Sequence, residues 1–143
     1  MQMIKNEFFC NQPISPLGYG CYALSGAYGS RPEESEMVRI LQYAYESGIK
    51  FFDTAGSYSD TEEILGRAVK SFRHDVVIAS KVGITEDNRF SLSSEFIKSS
   101  CESSLRKLKT DYIDIYQVHY HDPDTSAEEA IEALESLKKE GKI

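Results

Sequence analysis

No stretch of this 143-residue sequence carries the roughly 18 consecutive apolar residues that a membrane span needs. The segment Met1 to Asn11 also lacks an apolar core of signal-peptide length. Cysteine is scarce: Cys10, Cys21 and Cys101 are odd in number, far apart and form no C-x-x-C pair. Neither a disulfide framework nor a zinc site is therefore indicated. These absences point to a cytoplasmic, reduced protein. Basic residues are in deficit, with 16 Lys and Arg against 23 Asp and Glu, a net charge of -7. Such a chain is not expected to hold nucleic acid or an anionic membrane through bulk charge. A polyanionic cofactor would have to be held by local basic groups or helix N-termini. No repeat, low-complexity tract or linker is visible. What remains, 41% hydrophobic and 27% charged residues, suits one folded domain.

Helical patterns alternate with short apolar runs. Leu17 to Cys21 reads as a first strand. Ser30 and Glu33 are spaced as a capping box. Met37, Ile40, Leu41 and Ala44 then share a helical face, with Gly48 as the stop. Ile49 to Asp53 reads as a second strand, Thr61 to Val69 as a helix, and Val76 to Ser80 as a third strand. A long helix carries Ile97, Cys101, Ser104, Leu105 and Leu108 at helical spacing. Tyr112 to His119 reads as a fourth strand. Thr125 and Glu128 make another capping box, Ala127, Ile131, Leu134 and Leu137 a buried stripe, and Gly141 the stop.

Strand followed by helix, about four times over, implies α/β architecture with a parallel sheet. A complete barrel of eight such units needs about 250 residues, so a partial (β/α)8 barrel of about four βα units is expected. Its inner face would be wet and its outer strands would present unpaired edges. The competing architecture is a doubly wound sheet with helices on both faces. Gly18-Tyr19-Gly20 lacks the third glycine of a dinucleotide fingerprint and does not support it.

Three ionisable residues fall at successive predicted strand ends: Asp53, Lys81 and His119. In a parallel barrel those ends gather at the face where active sites lie. Alternation along a strand puts Val77, Ala79 and Lys81 on one side, and Ile113, Ile115, Gln117 and His119 on one side. Tyr58 follows Asp53 by five residues, in the loop above the same face. A phenol titrates near 10, and an ammonium beside it favours its ionised form. Lys81 would supply that ammonium, Asp53 would hold Lys81, His119 would orient a carbonyl oxygen, and Tyr58 would protonate it.

At these residues the sequence resembles the aldo-keto reductase family. Phe52-Asp53-Thr54-Ala55-Gly56-Ser57-Tyr58 resembles the signature F-D-T-A-x-x-Y. Glu62 to Gly66 is similar to E-x-x-L-G, and Ile78-Ala79-Ser80-Lys81 to the segment bearing the family's lysine. Ser104 to Leu108 and Asp111 to His119 resemble S-L-x-x-L followed by D-Y-[IV]-D-L-Y-x-x-H. Leu17 to Tyr22 is similar to the first-strand segment whose backbone lies near the nicotinamide. The match runs from about Pro16 to Ile143 in the family's order. Ser59 stands where glycine is common, and Cys21-Tyr22 replaces a frequent Thr-Trp pair.

The resemblance implies an oxidoreductase that transfers hydride between NADPH, or NADH, and an aldehyde, ketone or sugar. Asp53, Tyr58, Lys81 and His119 would be the catalytic tetrad, and Gly20, Cys21, Tyr22 and Asp53 would touch the cofactor. No metal is implied. The family's second half supplies the stacking tyrosine, the pyrophosphate loop and the basic residues on the 2′-phosphate. Residues 1–143 are thus expected to be the N-terminal half of such a barrel, truncated before the fifth strand, active alone only weakly and inclined to self-associate.

Two other functions fit parts of the pattern. A regulatory module or non-catalytic fragment of the same fold would keep the tetrad without turnover. His119 and His121, at i and i+2 on a strand, share a face as metal ligands do in barrel hydrolases, with Asp53 as a further ligand. A metal there leaves Tyr58 without a role and requires a neutral or modified Lys81.

Overall fold

A computed structural model describes residues 7–9 and 12–143. Cys10 and the segment Met1 to Asn6, on which part of the leader and cysteine reading rests, lie outside them. The described chain opens with an antiparallel pair, β1 (Glu7–Phe9) and β2 (Gln12–Ile14). Four βα units follow: β3 (Gly18–Gly20), α1 (Glu34–Glu46), β4 (Phe51–Asp53), α2 (Thr61–Val69), β5 (Val77–Val82), α3 (Ser94–Leu108), β6 (Ile115–Val118) and α4 (Ala127–Lys139). The second sheet is parallel in the order β3-β4-β5-β6.

Register decides which residues share a face. Gly20 pairs with Asp53, Asp53 with Ala79, Ala79 with Ile115 and Lys81 with Gln117. Phe52 and Ile78 pair on the opposite face. That second face carries the core: Phe52, Ile78 and Val82 pack with Met37 and Leu41 of α1, Ile64 and Leu65 of α2, Ile97 and Cys101 of α3, and Ala133 and Leu137 of α4. All four helices thus cover one side, the arrangement of a barrel wall, which excludes the doubly wound alternative. The inner face is covered only at its middle, while Gly18, Gly20 and Gln117 on it are exposed. Val77 and Ala79 are fully buried there, flanked on β4 by Phe51 and Asp53 and, beside Ala79, by Ile115 on β6.

Several boundaries differ from the sequence expectation. The first strand ends at Gly20, because Cys21–Ser25 turns into a 3-10 helix. Ser30 and Glu33 make no capping box: Glu33 itself occupies the N-cap, extended, with no side-chain cap bond. The last helix starts one residue later than its expected box. Ser126 accepts from the Glu129 N–H at 3.1 Å, and Thr125 instead donates to Asp122 at 2.6 Å. The buried stripe of α4 is Ala130, Ala133 and Leu137, whereas Ile131 is 55% exposed and Ala127 is exposed. That helix packs on α3, so its buried face is set by one neighbour. β5 runs on through Lys81 to Val82.

β6 is shorter than expected, beginning at Ile115. The cause is Asp114, whose Oδ2 accepts the Ile78 N–H at 2.9 Å and so takes a ladder carbonyl's place. The same oxygen accepts from Arg73 Nη2 at 2.7 Å. Arg73 also donates to the carbonyls of Val76 and Tyr112 and lies over the Tyr112 ring.

Candidate active site

β4 ends at Asp53, and the chain then turns over the sheet end through Thr54 to Tyr58 before α2 begins at Thr61. Two turn bonds shape this loop: the Tyr58 N–H donates to the Ala55 carbonyl, and the Thr61 N–H to the Tyr58 carbonyl. Ser59 then adopts a left-handed conformation, φ 56°. That is the conformation for which glycine is the usual choice.

Lys81 reaches from β5 toward the loop. Its Nζ donates to Asp53 Oδ1 at 2.6 Å and to the Thr54 carbonyl at 2.8 Å. The Lys81 side chain is only 13% exposed, that of Asp53 35%. An ammonium with two such partners is fixed in place, because a half-buried charge is favoured only where hydrogen bonds replace water. The same Nζ lies 5.0 Å from the centroid of the Tyr58 ring. His119 follows β6, its N–H donating to the Val82 carbonyl at 2.8 Å, so its backbone continues the ladder. Its ring meets Tyr58 edge-on, with centroids 5.7 Å apart. Asp53, Tyr58, Lys81 and His119 therefore converge at one end of the sheet. Burial holds the His119 imidazole below its usual value of 6.5, and the Lys81 charge adds to that effect.

The other expected site residues divide. Gly20 sits beside Asp53 in register, and a Cβ there would meet nothing within 4 Å. Bare backbone thus borders open space next to the carboxylate. Tyr22 is 44% exposed and packs on Tyr58 with centroids 4.7 Å apart. Tyr28 closes against Tyr22 in an edge contact. Cys21 points the other way, fully buried in the core. Burial, with the Asp53 charge second, pushes its thiol up to about 12. His121 is exposed, and among the described residues no three His, Cys, Asp or Glu side chains come together as a metal site. No described helix is long and apolar enough to cross a membrane.

Sequence inspection missed three participants. Thr54 supplies the second acceptor for Lys81, though it lay inside a recognised motif. Glu62, in a second motif, is completely buried. Tyr28 lies in a loop whose path no periodicity reveals.

Residues 16–143 match the aldo/keto reductase family. A probable aldo-keto reductase of Glycine max is 37% identical over 137 residues, covering 91% of this chain and 40% of that protein. The holo form of an aldo-keto reductase from Bacillus halodurans superposes with TM-score 0.80 at 38% identity, covering 92% of this chain and 44% of that one. An aldo-keto reductase from Klebsiella pneumoniae, solved with NADPH, superposes with TM-score 0.83 at 30% identity, covering 100% and 48%. The chain thus spans between two-fifths and half the length of these three relatives.

Proposed function

Since this chain belongs to the aldo/keto reductase family, we propose that its Asp53, Tyr58, Lys81 and His119 reduce an aldehyde, ketone or sugar carbonyl to an alcohol, or run the reverse oxidation. The observation that carries the proposal is the Lys81 ammonium, clamped between Asp53 and the Thr54 carbonyl against the Tyr58 ring. No structural role requires a lysine, a tyrosine and a histidine to meet at a sheet end beside a carboxylate that holds the lysine.

NADPH is the proposed cofactor, with NADH as the substitute. Bound at this site, the nicotinamide would supply hydride to the carbonyl carbon. The residues present fit that end of the cofactor. The side-chain-free edge at Gly20 and the exposed Tyr22 ring border open space beside Asp53. His119, neutral around pH 7 because its affinity for a proton is lowered, donates one ring N–H to the carbonyl oxygen and orients it. Tyr58 gives the same oxygen its phenolic proton. Lys81 stabilises the phenolate left behind, and Asp53 keeps Lys81 in position. The relative solved with NADPH supports the choice of cofactor.

The test is NADPH consumption with an aldehyde, measured with this chain completed by the remaining part of a relative's barrel. Tyr58→Phe is expected to lower kcat by roughly 10²–10⁴, the usual contribution of a general acid, while NADPH binding persists. A cofactor-sensing module would bind NADPH and show no turnover with or without the hydroxyl.

A further inference from the structure

The Glu62-Glu63-Ile64-Leu65-Gly66 motif has a part that helix packing does not explain. Gly66 is understood: a Cβ there would lie 2.4 Å from the Leu108 carbonyl oxygen. Glu62 is not. Its side chain is fully buried in the first turn of α2. Oε1 accepts from Ser80 Oγ at 2.7 Å, while Oε2 has no partner among the described residues. Burying a carboxyl group with half its acceptors unmet is unfavourable, and an apolar side chain would pack there at less cost.

The neighbours of Glu62 supply the reason. Ser80 directly precedes Lys81 on β5. Thr61, also fully buried, shares a 2.9 Å hydrogen bond with Thr54 Oγ1, and the Thr54 carbonyl is the one that accepts from Lys81. Gly56 lies over the same spot. A Cβ on it would come to 3.9 Å from Glu62 Oε2, 3.9 Å from the Lys81 carbonyl oxygen and 3.6 Å from Ser104 Oγ. Two consecutive residues of α2 thus grip the two backbone segments that hold the ammonium.

We infer that Thr61 and Glu62 are positioning residues for Lys81: Thr61 fixes the loop whose carbonyl receives the ammonium, and Glu62 fixes the strand from which the lysine springs. The consequence for turnover rests on the reductase proposal, whereas the positioning itself does not. Lysine has a long stem with many rotamers, and catalytic groups keep their geometry only when the groups around them are locked in turn. Neither residue touches substrate.

The test reads Lys81 directly. The chain is reductively methylated, and peptide mass spectrometry compares Lys81 with exposed Lys70 and Lys98 of the same molecules. Thr61→Val and Ser80→Ala are expected to raise the relative methylation of Lys81 by about threefold or more through local opening, and Thr61→Ser to restore it. An unchanged ratio in both variants overturns the inference, as does an equal rise at all three lysines, which would report general loosening. If Thr61→Val does not fold, the Ser80→Ala ratio decides alone. Because no turnover is measured, failure here is distinguishable from failure of the reductase proposal, which the Tyr58→Phe assay tests.

Discussion

At the residue scale, His119 links the site to the stability of the chain. Burial and the Lys81 charge lower its affinity for a proton in the folded state. The unfolded chain therefore takes up that proton first as pH falls through about 6.5. The contribution of His119 to stability is complete above that value and declines below it. His119→Asn should consequently lose less stability than the parent between about pH 8 and about pH 5.5, read from denaturant midpoints. Equal losses would show that the imidazole titrates normally. Ser59 makes a second residue-scale case. Its left-handed backbone is strained by about 1–2 kcal/mol for a residue with a Cβ. Glycine removes that strain but loses about 0.5–1 kcal/mol of chain entropy. Ser59→Gly should therefore raise the denaturant midpoint slightly, by the equivalent of about 0.5–1 kcal/mol. A lower midpoint would count against the assigned loop conformation.

At the element scale, α2 is the pivot of the molecule. It packs on α1 and α3, and its first turn reaches the loop and strand that hold the tetrad. Its approach to α3 depends on Gly66. In an exposed helix, alanine for glycine would gain about 1 kcal/mol. Here the added methyl would strike the Leu108 backbone, and backbone at a helix end cannot yield as a side chain does. Gly66→Ala should instead destabilise by about 1–3 kcal/mol, visible as a lower thermal midpoint. Much of each element was legible beforehand, because helix stripes and strand alternation are local patterns. Thr61 to Val69 has the bounds its periodicity indicates, and Ile97, Cys101, Ser104 and Leu108 are the buried face of α3. The ends were less legible. Ser30 has the chemistry of a cap but lies before Pro32, and the helix starts only after the chain has passed through an extended Glu33.

At the scale of the whole molecule, the four-stranded parallel sheet of the described residues is open at both sides. β3 and β6 are the two edges of the parallel sheet. Beside β6, Val118 and Ile131 are exposed around a hollow of about 330 Å3 lined also by Leu92, Tyr120 and Leu134. Unpaired edges next to apolar surface favour association. The 143-residue chain on its own is expected to sediment as more than a monomer and to quench or enhance NADPH fluorescence only at high concentration. A monomer with micromolar NADPH affinity that also reduces an aldehyde would show that these four βα units suffice alone.

The sequence by itself determined the succession of the four βα units, though not the β1–β2 pair before them, and the placing of Asp53, Lys81 and His119 toward one end of the sheet. Each depends on periodicity within a few residues and on the rule that parallel strand ends gather together. Tertiary structure decided the rest. Lys81 takes the Thr54 carbonyl as its second acceptor. Asp114 turns to Arg73, 41 residues away, and delays β6. The thiol of Cys21 faces the core, and Glu62 finds Ser80, 18 residues away, behind the site. A carboxylate or a thiol has the same local pattern whether it faces water, a core or a partner. Only the packing of distant segments settles which of these it meets.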